Sequence, residues 1–173
     1  MKYPPVWLAV DLLTFGEIVN LIELMSVRHS LFLSRIYDCK VPELISWLKC
    51  LNYVRNICAH NSNFIDLKLK TKPLINEEWN EILFSINKKN SIMYTNRIAL
   101  PMCVIRKMIF SVNPLYRFKD IDSSLKKLIN DDNTAQFYGY ANYQIFQRTL
   151  GSVNRDKEKK RGRRRLHNDE NGL

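Results

Sequence analysis

Residues 41–60, VPELISWLKCLNYVRNICAH, carry the clearest structural signal in the chain. Pro42 in a first helical turn forfeits no needed amide, and Glu43 complements the positive helix end. Leu44, Leu48, Leu51 and Cys58 fall on one helical stripe, which Ile45, Trp47, Val54 and Ile57 widen. So broad an apolar arc suits a helix packed on two neighbours. It should run to about His60, because Asn61-Ser62-Asn63 is turn chemistry and Asn tolerates a left-handed cap. On this reading Cys58 faces the interior as a packing thiol.

Outward from that helix, most of the chain reads as helical. Pro4 and Pro5 open an apolar segment through Leu13, and Thr14-Phe15-Gly16-Glu17 has capping-box form. Ile18, Leu21, Ile22 and Met25 then repeat at helical spacing, whereas Val27 to Tyr37 is less regular. Downstream, Asn76 is placed to cap a helix from Glu77 to about Asn87. An apolar run from Ile92 to Val112 should be broken or kinked at Pro101. Asp120 or Asp122 is expected to cap a short helix through Ile129, Asp131-Asp132-Asn133 to turn, and Tyr143 to Leu150 to form a last helix. No convincing alternating run, internal repeat or glycine-rich phosphate loop is present. The expected class is all-α.

Composition sets the outer limits. The chain has 173 residues, 46% of them hydrophobic and 11% aromatic, enough for one domain with a core. Twenty-seven basic residues face 17 acidic ones, a formal net charge of +10. Residues 155–165 (RDKEKKRGRRR) hold eight basic and two acidic side chains, so +6 of that excess sits there. The expected organisation is a helical domain over 1–150 and a basic, disordered tail over 151–173. In that tail Arg161, Arg163, Arg164 and Arg165 are candidate RNA phosphate contacts, although a solvated, silent tail has the same composition.

No apolar run reaches the length of a membrane span, and the start MKYPPVWLAVDLL lacks a small-residue cleavage site, so neither an anchor nor a signal peptide is expected. Cys39, Cys50, Cys58 and Cys103 make no zinc-type spacing and read as free thiols in a reducing cytoplasm. His29, His60 and His167 lie far apart with no carboxylate in a ligand pattern, so no metal or other cofactor is expected. Trp7, Trp47 and Trp79 read as core or interface anchors. Tyr138, Tyr140 and Tyr143 suit packing better than base stacking, and His29 reads as surface.

One constellation carries chemistry. Asn56 and His60 are four residues apart and share a helix face, and Arg55 lies about 100° round the helix. A cation, a polar side chain and an imidazole thus gather at a helix C-terminus. Attack of a 2′-hydroxyl on its own phosphate needs a proton acceptor, a proton donor and positive charge over the phosphorane. Histidine serves the first two near neutral pH, and the arginine fork matches phosphate oxygens. With one such His per chain, a second copy across a symmetric dimer would complete the roles.

Arg55-Asn56-Ile57-Cys58-Ala59-His60 resembles the Arg-x(4–6)-His motif of HEPN-type ribonucleases. Together with Pro5-Val6-Trp7-Leu8-Ala9-Val10-Asp11, Leu13-Thr14-Phe15-Gly16-Glu17 and a weaker Tyr138-Gly139-Tyr140 with Tyr143, the chain is similar over about 4–150 to the Abi-like (abortive infection, AbiD/AbiF-type) family. The likeness is to roughly the C-terminal half of typical members. It implies a HEPN-like bundle lacking N-terminal helices, a homodimeric composite site and metal-independent endoribonuclease activity yielding a 2′,3′-cyclic phosphate. It also implies a role in phage defence or toxin-like growth arrest. By motif match Arg55 and His60 are catalytic, with Asn56 the polar participant. Implied partners are RNA, a second copy, and an antitoxin or complementary N-terminal half. Where family members read HxSRxWN, this chain has His60-Asn61-Ser62-Asn63-Phe64, with Asn63 in place of Arg. The other reading of the same residues is a non-catalytic RNA-binding or interaction module.

Overall fold

Trp47 and Trp79 meet at the centre of the molecule, their rings 5.0 Å apart. In a computed structural model, residues 5–60, 62–88 and 91–150 are described. They form α1 (Val6–Leu12), α2 (Phe15–Glu23), α3 (Val27–Ile36) and α4 (Val41–Ala59), then a 3₁₀ turn (Glu77–Trp79). A hairpin of β1 (Ser85–Lys88) and β2 (Ser91–Tyr94) follows, then α5 (Ala99–Val112), α6 (Lys119–Leu128), α7 (Asp132–Tyr138) and α8 (Tyr143–Thr149). The architecture is mostly helical with one small antiparallel sheet. No helix among the described residues is long and apolar enough to cross a membrane.

The expected α4 is present, with His60 as its C-cap residue. It packs against α2, α3 and α5, which explains the width of its apolar arc. Leu44, Trp47, Leu48, Cys50 and Val54 are buried, and the Trp47 indole donates to the Leu74 carbonyl at 2.9 Å. That bond meets the polar need of the largest fully buried side chain. At the other end the Lys40 amide donates to the Glu43 carboxylate at 2.8 Å, satisfying one orphan donor.

α2 starts as its sequence requires. The Thr14 amide donates to Glu17 at 2.7 Å and the Glu17 amide donates to the Thr14 hydroxyl at 3.3 Å. The Thr14 amide, with the Thr14 hydroxyl as a second donor, holds the Glu17 carboxyl below its ordinary range. A Cβ on Gly16 would stand 3.3 Å from the Asn52 amide, so this glycine lets α2 lie close on α4.

Several expectations are corrected. Val27–Ile36 is a regular helix whose exposed Leu31, Phe32 and Ile36 had blurred its periodicity. Asn76 does cap, accepting from the Glu78 amide at 3.1 Å. The helix beyond it is only a 3₁₀ turn, and Ser85–Lys88 and Ser91–Tyr94 are paired strands, with Ser85 opposite Tyr94 and Lys88 opposite Ser91. Pro101 neither breaks nor kinks α5. It sits in the first turn, where the carbonyl its missing amide would have reached, that of Arg97, accepts from Leu100 at 3.1 Å instead. Asp120 and Asp122 lie inside the first turn of α6 rather than capping it. Asp131 is not a turn residue but the cap of α7, accepting from the Thr134 amide at 2.7 Å.

The second half of the chain closes on the hairpin through backbone bonds. Phe84 donates to Gly139 and Ala141 to Ile82, each at 2.9 Å. Gly139 has φ 97°, the left-handed C-cap of α7, and its bare Cα lies where a Cβ would meet Thr95 at 2.5 Å. Tyr140 and Phe146 pack edge to face at 5.0 Å in the core, and Tyr138 and Tyr143 are half-buried, so these tyrosines do pack. The final helix spans Tyr143–Thr149, close to its expected bounds.

Candidate functional site on the last turns of α4

Helix α4 delivers Arg55, Asn56 and His60 to the surface by running past the elements that bury its first four turns. Residues up to Val54 contribute to the core, whereas Arg55, Asn56, Cys58, Ala59 and His60 are all exposed. The exposure of Cys58 overturns its expected burial. Its stripe is the one that buries Leu44 and Leu48, but among the described residues no element covers that stripe at the overhanging last turn.

The three site residues are brought together in part. The Arg55 guanidinium donates from Nη1 to Asn56 Oδ1 at 3.1 Å, so the cation bends round the helix toward its neighbour's face. With Oδ1 occupied, the Asn56 amide has its NH₂ left to donate outward. The backbone amide of His60 donates to the Asn56 carbonyl at 3.1 Å, which sets the His60 backbone one helical turn beyond Asn56. The His60 backbone at φ −93°, ψ 16° is not left-handed. The left-handed cap expected of Asn61, and the basic tail with Arg161, Arg163, Arg164 and Arg165, lie outside the described residues.

The Ser62 amide, donating to the Ile57 carbonyl at 3.1 Å, turns the chain off the helix. Asn63 then does loop work. It accepts from the Ile65 amide at 3.1 Å and donates to Asp66 at 2.9 Å. Asp66 in turn offers its carbonyl to Arg97 at 2.9 Å. The position at which the resembled pattern has Arg therefore shapes the segment after His60. His29 is exposed and bonds Ser26 at 2.9 Å, as a surface residue would. Trp47 and Trp79 are core anchors, whereas Trp7 is 76% exposed and is no part of the core.

The remaining thiols are poor nucleophiles. Burial pushes Cys39 and Cys50 up to about 11 and Cys103 up to about 12. Among the described residues no group of His, Cys, Asp or Glu could hold a metal ion.

Sequence reasoning missed the surroundings of the site. Lys49 and Tyr53 lie on the same α4 face as Asn56 and His60, spaced four, three and four residues apart. They line an open groove of about 730 Å³ between α4 and residues 70–73. The helical spacing itself was the available signal. Arg106 was missed as well: it is 7% exposed and paired with Asp122 between α5 and α6.

The arrangement offers phosphate-matching donors from Arg55 and Asn56 beside an exposed imidazole. A family model described as Abi-like protein matches residues 1–66, from α1 to just beyond α4. The matched span holds the Thr14 capping box and all three site residues, but not Tyr138-Gly139-Tyr140. No curated protein matches the chain. No solved structure matches it.

Proposed function

We propose that this chain is an Abi-like endoribonuclease of an abortive-infection or toxin-like system, cutting RNA without a metal through Arg55 and His60, assisted by Asn56. The observation that carries the proposal is the Arg55–Asn56 hydrogen bond on the exposed end of α4, one turn below His60. It groups a permanent cation and an amide donor beside a proton-transfer side chain in the matched span.

In this reading a phosphodiester sits over the last turn of α4. The Arg55 guanidinium and the Asn56 NH₂ donate to its non-bridging oxygens and stabilise the charge that builds on them. An imidazole takes the 2′-hydroxyl proton as that oxygen attacks phosphorus. The 5′-oxygen of the following nucleotide leaves as it is protonated, which leaves a 2′,3′-cyclic phosphate. One His60 cannot be base and acid at the same instant, so a homodimer supplies the second imidazole from the partner copy. The exposed Trp7 and Leu12 on α1 and Leu24 at the C-cap of α2 provide apolar surface for such an association.

The test is incubation of the purified chain with RNA in EDTA. Cleavage should occur, and should fall at least 100-fold in His60→Ala and in Arg55→Ala. RNA left intact by the wild type, or cut equally by the variants, would refute the proposal. A second reading, a non-catalytic RNA-binding module, is favoured by one observation: Asn63, where the resembled pattern has Arg, is engaged in its own loop. RNA binding without cleavage in the same assay would establish it.

A further inference from the structure

The groove beside Tyr53 is built from two kinds of surface. Its floor is apolar, from Ile45, Tyr53 and the buried Pro73. Its rim carries Lys49, Lys70 and Lys72, and among the described residues no carboxylate lines it. Lys72 is held by donating to the Tyr94 carbonyl, a neutral acceptor, and among the described residues no carboxylate pairs with it. Lys49 reaches Glu23 at 2.6 Å, so one rim charge is engaged while the groove is open.

The helix geometry joins this groove to the candidate site. At 100° per residue Lys49, Tyr53, Asn56 and His60 fall within about 60° of one another on α4, and Tyr53 lies roughly 10 Å along the axis from His60. A strand crossing His60 and following α4 toward its N-terminus would enter the groove within a few nucleotides.

We infer that this groove is the substrate track: it holds a single-stranded segment of the RNA flanking the scissile phosphate, with a base on Tyr53 and phosphates on Lys49 and Lys70. The inference rests on the endoribonuclease reading for its direction along α4. An apolar floor between lysine rims matches the two faces of an unpaired strand, whose bases are free to lie on aromatic and aliphatic surface. In a duplex those bases are stacked on each other and unavailable to the floor. Glu23 acts as a gate on affinity, because binding at Lys49 competes with that ion pair.

The experiment uses the full chain carrying His60→Ala, so that RNA survives the measurement, and a fluorescent 12-nucleotide oligouridine followed by anisotropy across a salt series. Tyr53→Ala should weaken binding about tenfold. Lys49→Gln and Lys70→Gln should each lower the slope of log affinity against log salt by about 0.7. Glu23→Gln should tighten binding, and a hairpin duplex should bind more weakly than the open strand. Circular dichroism melts of each variant separate lost folding from lost contacts, with Lys70→Arg restoring the slope.

Absent binding, unchanged affinity and slope in folded Lys49 and Lys70 variants, or a duplex bound as tightly as the strand, would overturn the inference. So would light scattering showing that the groove variants fall from dimer to monomer, which would make the face a self-association surface. Cleavage by the chain with native His60 is scored separately. His60-dependent cleavage with no groove effect sinks the track alone. Groove-dependent binding with no cleavage sinks the nuclease reading alone.

Discussion

Removing the Asp122 carboxylate should cost the fold more than any other single truncation outside the apolar core. Arg106 leaves α5 into an interior where its side chain is 8% exposed, and Asp122 of α6, itself 15% exposed, is its ion-pair partner. The guanidinium also lies over the Phe118 ring at 4.7 Å. Among the described residues its Nε–H is buried without a hydrogen-bond partner, and Asp122 is the carboxylate paired with this cation. Asp122→Ala therefore leaves a buried charge uncompensated, which costs about 3–5 kcal/mol. For a chain of this size that corresponds to a Tm drop of roughly 10 °C.

The Trp47–Trp79 pair provides the assay. Both rings are buried and in contact, so their fluorescence reports core unfolding in urea. Replacing the pair together, Arg106→Met with Asp122→Leu, should recover most of the loss because no unpaired charge remains. An Asp122→Ala chain that unfolds within about 1 kcal/mol of the parent, or a double variant as unstable as the single, would refute the reasoning.

Other outcomes follow from the same structure. Gly139→Ala should fail to fold or melt far below the parent, since φ 97° and the 2.5 Å approach to Thr95 leave no room for a Cβ. Equal melting temperatures would contradict this. Thr14→Ala should lower Tm by about 2–4 °C through loss of the α2 cap, checked by calorimetry. At pH 8 iodoacetamide should modify the folded chain once, at the exposed Cys58, and the urea-unfolded chain four times. Mass spectrometry reads the count, and fast labelling of Cys50 in the folded chain would be the wrong result. Raising the pH from 8 toward 11 should destabilise the fold. Unfolded thiols ionise near their ordinary value of 9.0, whereas folded Cys50 keeps its proton up to about 11, so stability present below pH 9 is lost above it.

The legible parts of the sequence were those in which local chemistry and packing agree. Thr14 and Glu17 make the bonds their spacing calls for, and Pro42 and Glu43 start α4 where the apolar stripe begins. The hairpin was hidden because all of β1 and most of β2 are exposed, so the strands show no alternation between core and solvent. Asp131 was misread because the residues that favour turns also cap helices, and only the amide of Thr134 distinguishes the two. Cys58 shows that a stripe marks a direction, while burial needs a neighbour on that side. At the site, the four-residue spacing of Asn56 and His60 was readable. The bend of Arg55 toward Asn56 was not, since a long side chain's direction is set by its partner.

The most direct measurement sets one RNA beside a copy whose sugar at the cut position is 2′-deoxy, both incubated with the wild-type chain in EDTA. The RNA should be cut to a fragment ending in a 2′,3′-cyclic phosphate, and the deoxy copy should remain whole. Cleavage of both, or of neither, would contradict an α4 site in which Arg55, Asn56 and His60 direct a 2′-hydroxyl onto its own phosphate.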